Sequence, residues 1–311
     1  MQISEPYRSA SHYLVQFSAA SPLALIQQSN PACFPFLLQS TASGPEHARY
    51  DILFCLPGES LVLDGEGELH RPPALRHSRS FLDALDLWVQ SRHQVPDLPI
   101  PLPFYGGWFL FFAYEFAEQI EPTLKLPPYF YPFPKALAVR CPAALVQDRS
   151  TGTLYGVIER DYPAYEQAMD TLVKLAASTT DQRIPELKLE MTINEDDPGT
   201  FLANVVRIKE YIHAGDVFQV NLSREWSVHL STALSPSHLY RRLTLENPAP
   251  FSGLVYWGDS ALISSSPERL VERRDGRVQT RPIAGTRPRA LDPTDDDQLA
   301  QELMAHPKEL A

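Results

Sequence analysis

The chain has 311 residues, of which 38 are Asp or Glu and 27 are Lys or Arg, so its formal net charge is −11. A hydrophobic fraction of 44% with 10% aromatic residues is that of a globular protein and excludes general disorder. The acidic balance argues against a duplex nucleic-acid binder, which needs a net basic face. The three cysteines, Cys33, Cys55 and Cys141, are odd in number and widely spaced, so we expect reduced, buried thiols rather than disulfides or a zinc site.

The N-terminus carries Glu5 and Pro6 where a signal peptide would have a basic start and an apolar run. The most apolar stretch, residues 104–120, is interrupted by glycines and glutamates and is too short to span a bilayer. We therefore predict a cytoplasmic protein that does not bind membranes.

The first 135 residues are rich in proline, especially at 96–103 and 127–134, which predicts irregular structure with short strands. Ser80 as N-cap and Asp83 in the first turn predict a helix near residue 81. That helix would bury the apolar residues at helical spacing: Phe81, Leu85, Trp88 and Val89. Residues 107–120 are predicted as a buried aromatic helix. A third helix, starting near Asp161 with Pro163 in its first turn, would bury Tyr165, Met169, Leu172 and Ala176.

Residues 178–200 are polar and are predicted to link an N-terminal region, 1–177, to a second region, 201–311. An apolar stripe, ended by Gly215, predicts a helix after the linker: Phe201, Val205, Ile208 and Ile212. Alternation of apolar and polar residues from Phe218 to Leu230, with Arg224 its only exception, predicts one strand. Further strands are predicted at 251–257, 261–265, 270–273 and 278–283. Their short connections, at Gly258 and Gly276, require antiparallel pairing, so the fold class is α+β.

Common catalytic signatures are missing: there is no glycine-rich phosphate loop, no Gly-x-Ser-x-Gly elbow, no His-Glu-x-x-His and no EF-hand spacing. The acidic run 295–297 is interpreted as the first turn of a helix, where carboxylates favour the helix dipole. His213, His229 and His306 have no partner at metal-ligand spacing and are interpreted as ordinary polar residues.

Three other segments are candidates for function. Residues 214–223 place amide and hydroxyl side chains along one strand face, as a polar floor for a ligand or as the solvated side of a sheet. Pro267 holds Glu268 at a fixed corner, either as a general acid or base or as an exposed carboxylate paired with Arg269. Residues 280–289 combine prolines, a glycine turn and three arginines, and form either a site for a small dicarboxylate or a structural hairpin tip.

Together these segments resemble the chorismate-utilising enzymes, which include anthranilate synthase component I, aminodeoxychorismate synthase component I, and isochorismate and salicylate synthases. The resemblance rests on "GDVFQVNLS", "SSSPERL" and "TRPIAGTRPR", in this order, and runs from about Leu37 to the last residue. It implies an α+β fold of antiparallel sheets packed face to face with outer helices, incomplete at the C-terminus of this chain.

Within the family, two segments resemble aminodeoxychorismate synthase, the enzyme that makes 4-amino-4-deoxychorismate for p-aminobenzoate and folate synthesis. Gln39 stands where anthranilate synthases usually carry Glu, and residues 249–252 read Ala-Pro-Phe-Ser. Ala284 departs from this branch, because many of its members have a lysine nucleophile there, and matches the anthranilate synthase motif instead. The resemblance therefore predicts aminodeoxychorismate synthase component I, with anthranilate synthase component I as the alternative.

The resemblance also implies roles for particular residues. Glu268 would be the general acid that protonates the departing C4 hydroxyl of chorismate, and Gly285 and Thr286 would contact the substrate. Three positions match a tryptophan-binding pocket that is regulatory in anthranilate synthase and structural in some aminodeoxychorismate synthases: Ser40, Arg49 and Pro250. The implied partners are a glutamine amidotransferase that supplies ammonia, chorismate and tryptophan.

The implied cofactor is Mg²⁺, but the family segments that bind it match nothing in this chain and are expected after Ala311. We therefore expect a chain of these 311 residues to contain no metal ligands, to be inactive alone and to fold poorly. This leaves a third hypothesis, a non-catalytic fragment that at most binds a partner or an indole ligand.

Overall fold

The structure is a computed structural model that describes residues 4–18, 22–42, 49–92, 97–178, 190–274, 276–281, 288–290 and 292–305. In the N-terminal region the elements are β1 (Tyr7–Arg8), β2 (His12–Ser18), α1 (Leu23–Ser29), β3 (Phe36–Gln39), β4 (Tyr50–Cys55), β5 (Ser60–Leu63), β6 (Leu69–His70), α2 (Phe81–Ser91), β7 (Gly107–Phe112), α3 (Ala117–Ile120), β8 (Ala136–Cys141), β9 (Ala143–Asp148), β10 (Thr153–Glu159) and α4 (Tyr165–Ser178).

After residue 189 the elements are β11 (Met191–Glu195), α5 (Pro198–Ala214), β12 (Trp226–Leu230), α6 (Pro236–Glu246), β13 (Phe251–Trp257), β14 (Ser260–Ser266), β15 (Glu272–Arg274), β16 (Arg277–Gln279) and α7 (Pro293–Met304). None of the helices described here is both long and apolar enough to cross a membrane.

Two antiparallel sheets form the centre of the protein. The larger has the strand order β1-β2-β10-β9-β4-β3-β13-β14, and the smaller has the order β6-β5-β8-β7. Strands β13 and β14 are joined through a turn in which Trp257 pairs with Ser260, and β13 also pairs with β3 across a long sequence separation. The predicted antiparallel pairing is therefore confirmed, and β13 and β14 extend a sheet that is otherwise built from the N-terminal region.

The two sheets pack face to face, with helices on their outer sides. Phe36 of the larger sheet stacks on Phe109 of the smaller one, with ring centroids 4.1 Å apart, inside a buried cluster that the two sheets share. Helices α1, α4 and α6 contribute to the core on the other face of the larger sheet, and α2 covers the smaller sheet. This helix–sheet–sheet–helix arrangement confirms the predicted fold class.

The prediction of short strands separated by irregular connections in the first 135 residues agrees with the structure. Strands β1 to β7 lie there, and the prolines occupy the connections between them, where a missing N–H breaks no ladder. The buried cysteines are confirmed: Cys55 and Cys141 are buried, Cys33 is half-buried, and all three are free thiols. Burial raises the pKa of Cys141 to about 12.

The helix predicted at 107–120 is wrong for most of its length. Residues 107–112 form β7, which pairs with β8 over its whole length, and only Ala117–Ile120 is α-helical. Gly107, with φ of 142°, adopts a conformation outside the helical region. Aromatic and β-sheet-forming residues here pack between the sheets, and this tertiary contact decides the conformation.

The other helices follow the sequence more closely. Helix α2 starts after Ser80, whose Oγ accepts from Asp83 N at 3.1 Å; it buries Phe81 and Trp88 but leaves Val89 37% exposed. The third predicted helix starts at Tyr165, later than Asp161, and it buries Met169, Leu172 and Ala176, with Tyr165 partly buried.

In the C-terminal region, α5 ends as predicted at Gly215, which has a left-handed φ of 80°. The strand predicted from Phe218 to Leu230 is only partly confirmed, because Trp226–Leu230 alone is a strand and Phe218 is 98% exposed. Its partner is β11, so pairing stops where the chain turns into α5. Residues 178–200, predicted as a linker, thus contain a strand, and the division into two regions stays a prediction.

Candidate functional site

Glu268 lies directly after β14, in the turn that Pro267 begins. Its backbone N–H donates to Ser266 Oγ at 3.4 Å, and that hydroxyl donates to the backbone oxygen of Glu268 at 3.2 Å. Arg269 forms its ion pair with Glu272 and lies over the ring of Phe251 at 5.5 Å. The turn holds Glu268 exposed at the end of a strand.

The remaining predicted substrate residues, Gly285 and Thr286, lie outside the described residues, as does Ala284. Next to them, Arg289 contacts Asp296 through Nε at 2.8 and 3.0 Å. Asp296 is in the first turn of α7, capped by Asp292, which confirms the interpretation of the acidic run. Arg289 therefore helps to stabilise this helix start.

Ser40, Arg49 and Pro250 come together around one cavity of about 810 Å³. The cavity lies between the sheets: β3, β4, β13 and β14 of the larger sheet line it, together with β7 of the smaller one. Its lining is mainly aromatic and aliphatic, including Phe54, Trp108, Phe109, Phe111 and Phe251. This volume is in the range of ligand pockets.

Hydrogen bonds from backbone N–H groups hold the two segments that carry Ser40 and Pro250. Thr41 N donates to Ala249 O at 2.8 Å, and Ala249 N donates back to Thr41 Oγ1 at 2.9 Å. Ser40 N donates to Asp51 Oδ1 at 3.0 Å. These bonds tie the end of β3 to the start of β13, so residues separated by about two hundred positions line one cavity.

A buried polar network continues behind Ser40. Gln39 Nε2 donates to Asp51 Oδ2 at 3.0 Å, and Tyr240 of α6 donates to Gln39 Oε1 at 3.1 Å. Burial raises the pKa of Asp51, while the bonds from Ser40 and Gln39 oppose this shift. Sequence reasoning missed Asp51 and Tyr240, because nothing in the alternation of β4 or α6 marks them as partners of Gln39.

Three arginines form a charged rim of the cavity, and two of its lining residues carry a buried polar atom without a hydrogen-bond partner in the described part of the chain. Arg49, Arg269 and Arg274 are among its lining residues. Ser40 Oγ and Trp108 Nε1 are buried without a hydrogen-bond partner in the described part of the chain. The indole of Trp108 packs edge-on against Trp88 of α2, with ring centroids 5.5 Å apart, so it lies on the face of the smaller sheet that α2 covers.

Within the described ranges, one group of three potential metal ligands has its ligand atoms within 4.8 Å of one another: Asp64, Glu68 and His70. It lies around the turn between β5 and β6. Asp64 Oδ1 already accepts from the N–H groups of Glu66 and Glu68, and Oδ2 contacts His70 at 2.8 Å. Because Mg²⁺ prefers oxygen ligands in octahedral geometry, a turn-capping carboxylate beside an imidazole does not fit the implied magnesium.

Comparison with known proteins adds to this geometry. A family model described as chorismate binding enzyme matches residues 48–311. An anthranilate synthase component I-like protein of Synechocystis is 33% identical over 234 residues, covering 75% of this chain and 47% of that protein. Anthranilate synthase component 1 of Pseudomonas aeruginosa is 31% identical over 309 residues, covering 94% of this chain and 62% of that protein.

Among solved structures, anthranilate synthase component I from Streptococcus pneumoniae has a TM-score of 0.63 at 24% identity, covering 86% of this chain and 59% of that one. At this identity the similarity supports the fold, which agrees with the packed antiparallel sheets. The chain thus spans about half to three fifths of the length of the proteins it matches.

Proposed function

Because the chain belongs to the family of chorismate binding enzymes, we propose that it forms part of a component I enzyme that aminates chorismate with ammonia. The observation that carries this proposal is the family match over residues 48–311, which includes the Ser-Ser-Ser-Pro-Glu-Arg segment around Glu268. A glutamine amidotransferase subunit is the proposed source of ammonia.

Glu268 is the proposed general acid. Hydroxide is a poor leaving group, so a proton delivered to the C4 hydroxyl of chorismate lowers the barrier to its departure. The rigid corner after β14 supports this role, because Pro267 and the paired Ser266 hydrogen bonds fix the backbone of Glu268. Gly285 and Thr286 are the proposed substrate contacts. The potential ligands among the described residues, Asp64, Glu68 and His70, do not fit magnesium.

The proposed product is anthranilate, with 4-amino-4-deoxychorismate as the second candidate. Anthranilate is supported by the names of the relatives in P. aeruginosa and S. pneumoniae and by Ala284, which cannot act as a lysine nucleophile. Aminodeoxychorismate, which the sequence motifs favour, is supported by Gln39 and by the Ala-Pro-Phe-Ser segment at 249–252.

The test is to incubate the natural full-length protein with chorismate, magnesium and ammonium salts. Pyruvate release with fluorescent anthranilate supports the first product; an aminated chorismate without pyruvate supports the second. Saturable binding with no turnover supports the non-catalytic hypothesis. The absence of both binding and turnover contradicts the proposal.

The Glu268→Gln variant tests the general acid. We expect it to lower kcat by about a hundredfold or more, because general acid catalysis contributes on this scale, and to leave chorismate binding nearly unchanged. Glu246→Gln is the matched control, since Glu246 forms an exposed ion pair with Arg242. Equal turnover by Glu268→Gln and the control would remove Glu268 from the mechanism.

A further inference from the structure

A second cavity, of about 770 Å³, lies beside the cavity between the sheets. One of its walls comes from residues 98–105, in the connection from α2 to β7, and the other comes from residues 269–274, which lead into β15. Tyr50 of β4 lines both cavities, whereas no described residue of β3, β7, β13 or β14 lines the second one. Its volume is also in the range of ligand pockets, and we name it the arginine cavity.

The wall that the connection supplies is fixed by contacts within the protein. Leu98, Ile100 and Leu102 pack into a buried cluster together with Tyr50. The hydroxyl of Tyr50 also donates to Pro101 O at 3.4 Å. Prolines alternate with the apolar residues of this connection, and each proline fixes its own φ. A preformed apolar wall lowers the conformational entropy that a ligand loses from the protein when it binds.

The opposite wall of the arginine cavity is basic. Among the described residues its charged side chains are Arg269, Arg273 and Arg274 against Glu272, a net charge of +2, and Arg269 forms an ion pair with Glu272. Over residues 269–281 the sequence carries five arginines against one Glu and one Asp, although the whole chain has a net charge of −11. A local positive field in an acidic protein attracts anions to this cavity.

Two features of β15 favour a ligand with two separate negative groups. Arg273 and Arg274 are successive residues of this strand, and successive side chains leave opposite faces of a strand. Arg274 is also directly opposite Arg277 of β16; like charges in that position repel each other, and an anion beside Arg274 relieves this repulsion. A guanidinium binds a carboxylate through two parallel N–H groups. Two carboxylates held apart on one molecule therefore match this wall better than a single anionic group.

We infer that the arginine cavity binds a small dicarboxylate with an apolar body. The body contacts Leu98, Ile100 and the ring of Tyr50, and the carboxylates accept hydrogen bonds from the arginines. Glu268 does not line this cavity, so the site is separate from the proposed general acid. The inference thus goes beyond the proposed amination of chorismate and does not rest on it.

Four probes with one ring in common separate the charge and the spacing of the anionic groups. Isophthalate has two carboxylates, benzoate has one, benzamide is neutral, and phenyl phosphate concentrates its charge on one group. Their affinities for the full chain are measured by isothermal titration calorimetry at neutral pH. We expect isophthalate to bind at least about tenfold more tightly than benzoate, because a second charge-assisted contact forms. Phenyl phosphate should bind more weakly than isophthalate, and benzamide should bind most weakly. Any other order, or binding by none of the probes, overturns the inference.

The Arg273→Gln variant locates the binding, because Arg273 lines the arginine cavity but not the cavity between the sheets. We expect it to weaken isophthalate binding about tenfold, since a hydrogen-bonded contact to a charged acceptor is lost. Arg242→Gln is the matched control, because Arg242 forms an exposed ion pair with Glu246. Equal affinity of the variant and the control for isophthalate would overturn the assignment to this cavity.

The Ile100→Ala variant tests the apolar wall. We expect it to weaken the binding of isophthalate and of benzoate about threefold or more, because apolar contact with the ring is lost. Leu245→Ala is its control, since Leu245 is 66% exposed on α6. Unchanged binding of both probes by Ile100→Ala would contradict a ligand with an apolar body.

Thermal unfolding of each variant shows whether it is folded. If Arg273→Gln fails to fold, Arg273→Lys replaces it, with the same expected direction, because lysine keeps the charge but lacks the paired N–H groups. The readout is the binding of isophthalate, which is not the proposed substrate. Its failure is therefore distinguishable from a failure to aminate chorismate.

Discussion

At the scale of single residues, an ion pair connects the two sheets. It joins Arg140 of β8, in the smaller sheet, to Glu159 of β10, in the larger one. Both side chains are mostly buried, and Arg140 also donates to Gly107 O at 2.9 Å and lies over the Trp108 ring at 4.8 Å. Burial raises the pKa of Glu159, and Arg140 opposes this shift. The positive charge of Arg140 therefore offsets part of the free-energy cost of burying the ionised Glu159 carboxylate.

We expect Arg140→Gln to lower the free energy of unfolding by about 3 kcal/mol at neutral pH, because it leaves a buried carboxylate without its charged partner. The loss should be smaller below pH 4.5, the ordinary pKa of the group, because Glu159 is then neutral in the folded and the unfolded chain. It should grow as the pH rises through the raised pKa of Glu159 in the folded protein, because Arg140 stabilises only the ionised carboxylate.

Urea unfolding at several pH values measures this loss. Arg8→Gln is the control, because the pair between Arg8 and Glu166 is half-exposed on both sides, and such pairs contribute little. A loss for Arg140→Gln that equals the control, or that does not change with pH, would contradict the prediction.

Single residues also show which contacts could not be predicted from the sequence. Ser40, Arg49 and Pro250 were selected together through a family resemblance, and the structure places them at one cavity. The positions of Asp51 and Tyr240 behind Ser40 depend on strand pairing and helix packing between segments far apart in the chain. Local patterns carry no information on such contacts, so these residues could not be chosen in advance.

At the scale of elements, α2 shows a local signal that determines a helix start. The Ser80 Oγ accepts from Asp83 N, and Asp83 Oδ2 accepts from Arg79 N at 2.8 Å. We expect Ser80→Ala to lower the free energy of unfolding by about 1 kcal/mol, the typical loss for an N-cap hydroxyl. Chemical denaturation measures this change.

The N-cap of α6 gives the matched control for that substitution. Ser235 occupies the same position there, but its side chain makes no capping hydrogen bond. Ser235→Ala should therefore change stability much less than Ser80→Ala. Equal effects would mean that the Ser80 hydroxyl contributes through something other than the cap.

The packing of α4 on the larger sheet depends on a residue without a side chain. A Cβ at Gly156 of β10 would lie 2.6 Å from Met169 Sδ, and Met169 is fully buried. We expect Gly156→Ala to lower the free energy of unfolding by about 1–3 kcal/mol, because overpacking forces the helix or the Met side chain to move. Gly58→Ala is the control, since its nearest neighbour would be 3.7 Å away. A neutral Gly156→Ala would indicate that α4 is loosely packed.

Helices and strands were predicted well where a local signal, such as a cap, determines them. They were predicted poorly where pairing with a distant strand determines the conformation. Capping fixed the start of α2, and Gly215 fixed the end of α5. The aromatic residues at 107–112 are compatible with the apolar spacing of a helix and with that of a strand. Pairing with β8 selects the strand. The alternation from Phe218 onward indicates a strand, but a strand also needs a neighbour, and β11 pairs only with Trp226–Leu230.

At the scale of the whole molecule, packing is uneven. Residues of the two central sheets and of α1, α2, α4 and α6 form continuous buried clusters. In contrast, no residue of α5 is buried, and every residue of β11 and β12 is exposed. A two-stranded ribbon with one exposed helix is marginally stable by itself, so this part should unfold locally before the sheets do.

Hydrogen exchange followed by mass spectrometry tests this unevenness on the full chain. We expect amides of α5, β11 and β12 to exchange at least about a hundredfold faster than those of β9 and β10, which corresponds to about 2.7 kcal/mol less protection. The physical reason is that large apolar side chains such as Leu202, 64% exposed, and Trp226, 60% exposed, contribute no burial here. Strands β9 and β10 lie inside the larger sheet with neighbours on both sides, so their opening requires the loss of the core. Equal protection in both parts would mean that α5 and its ribbon unfold together with the sheets, and it would contradict the expectation from sequence that the chain folds poorly on its own.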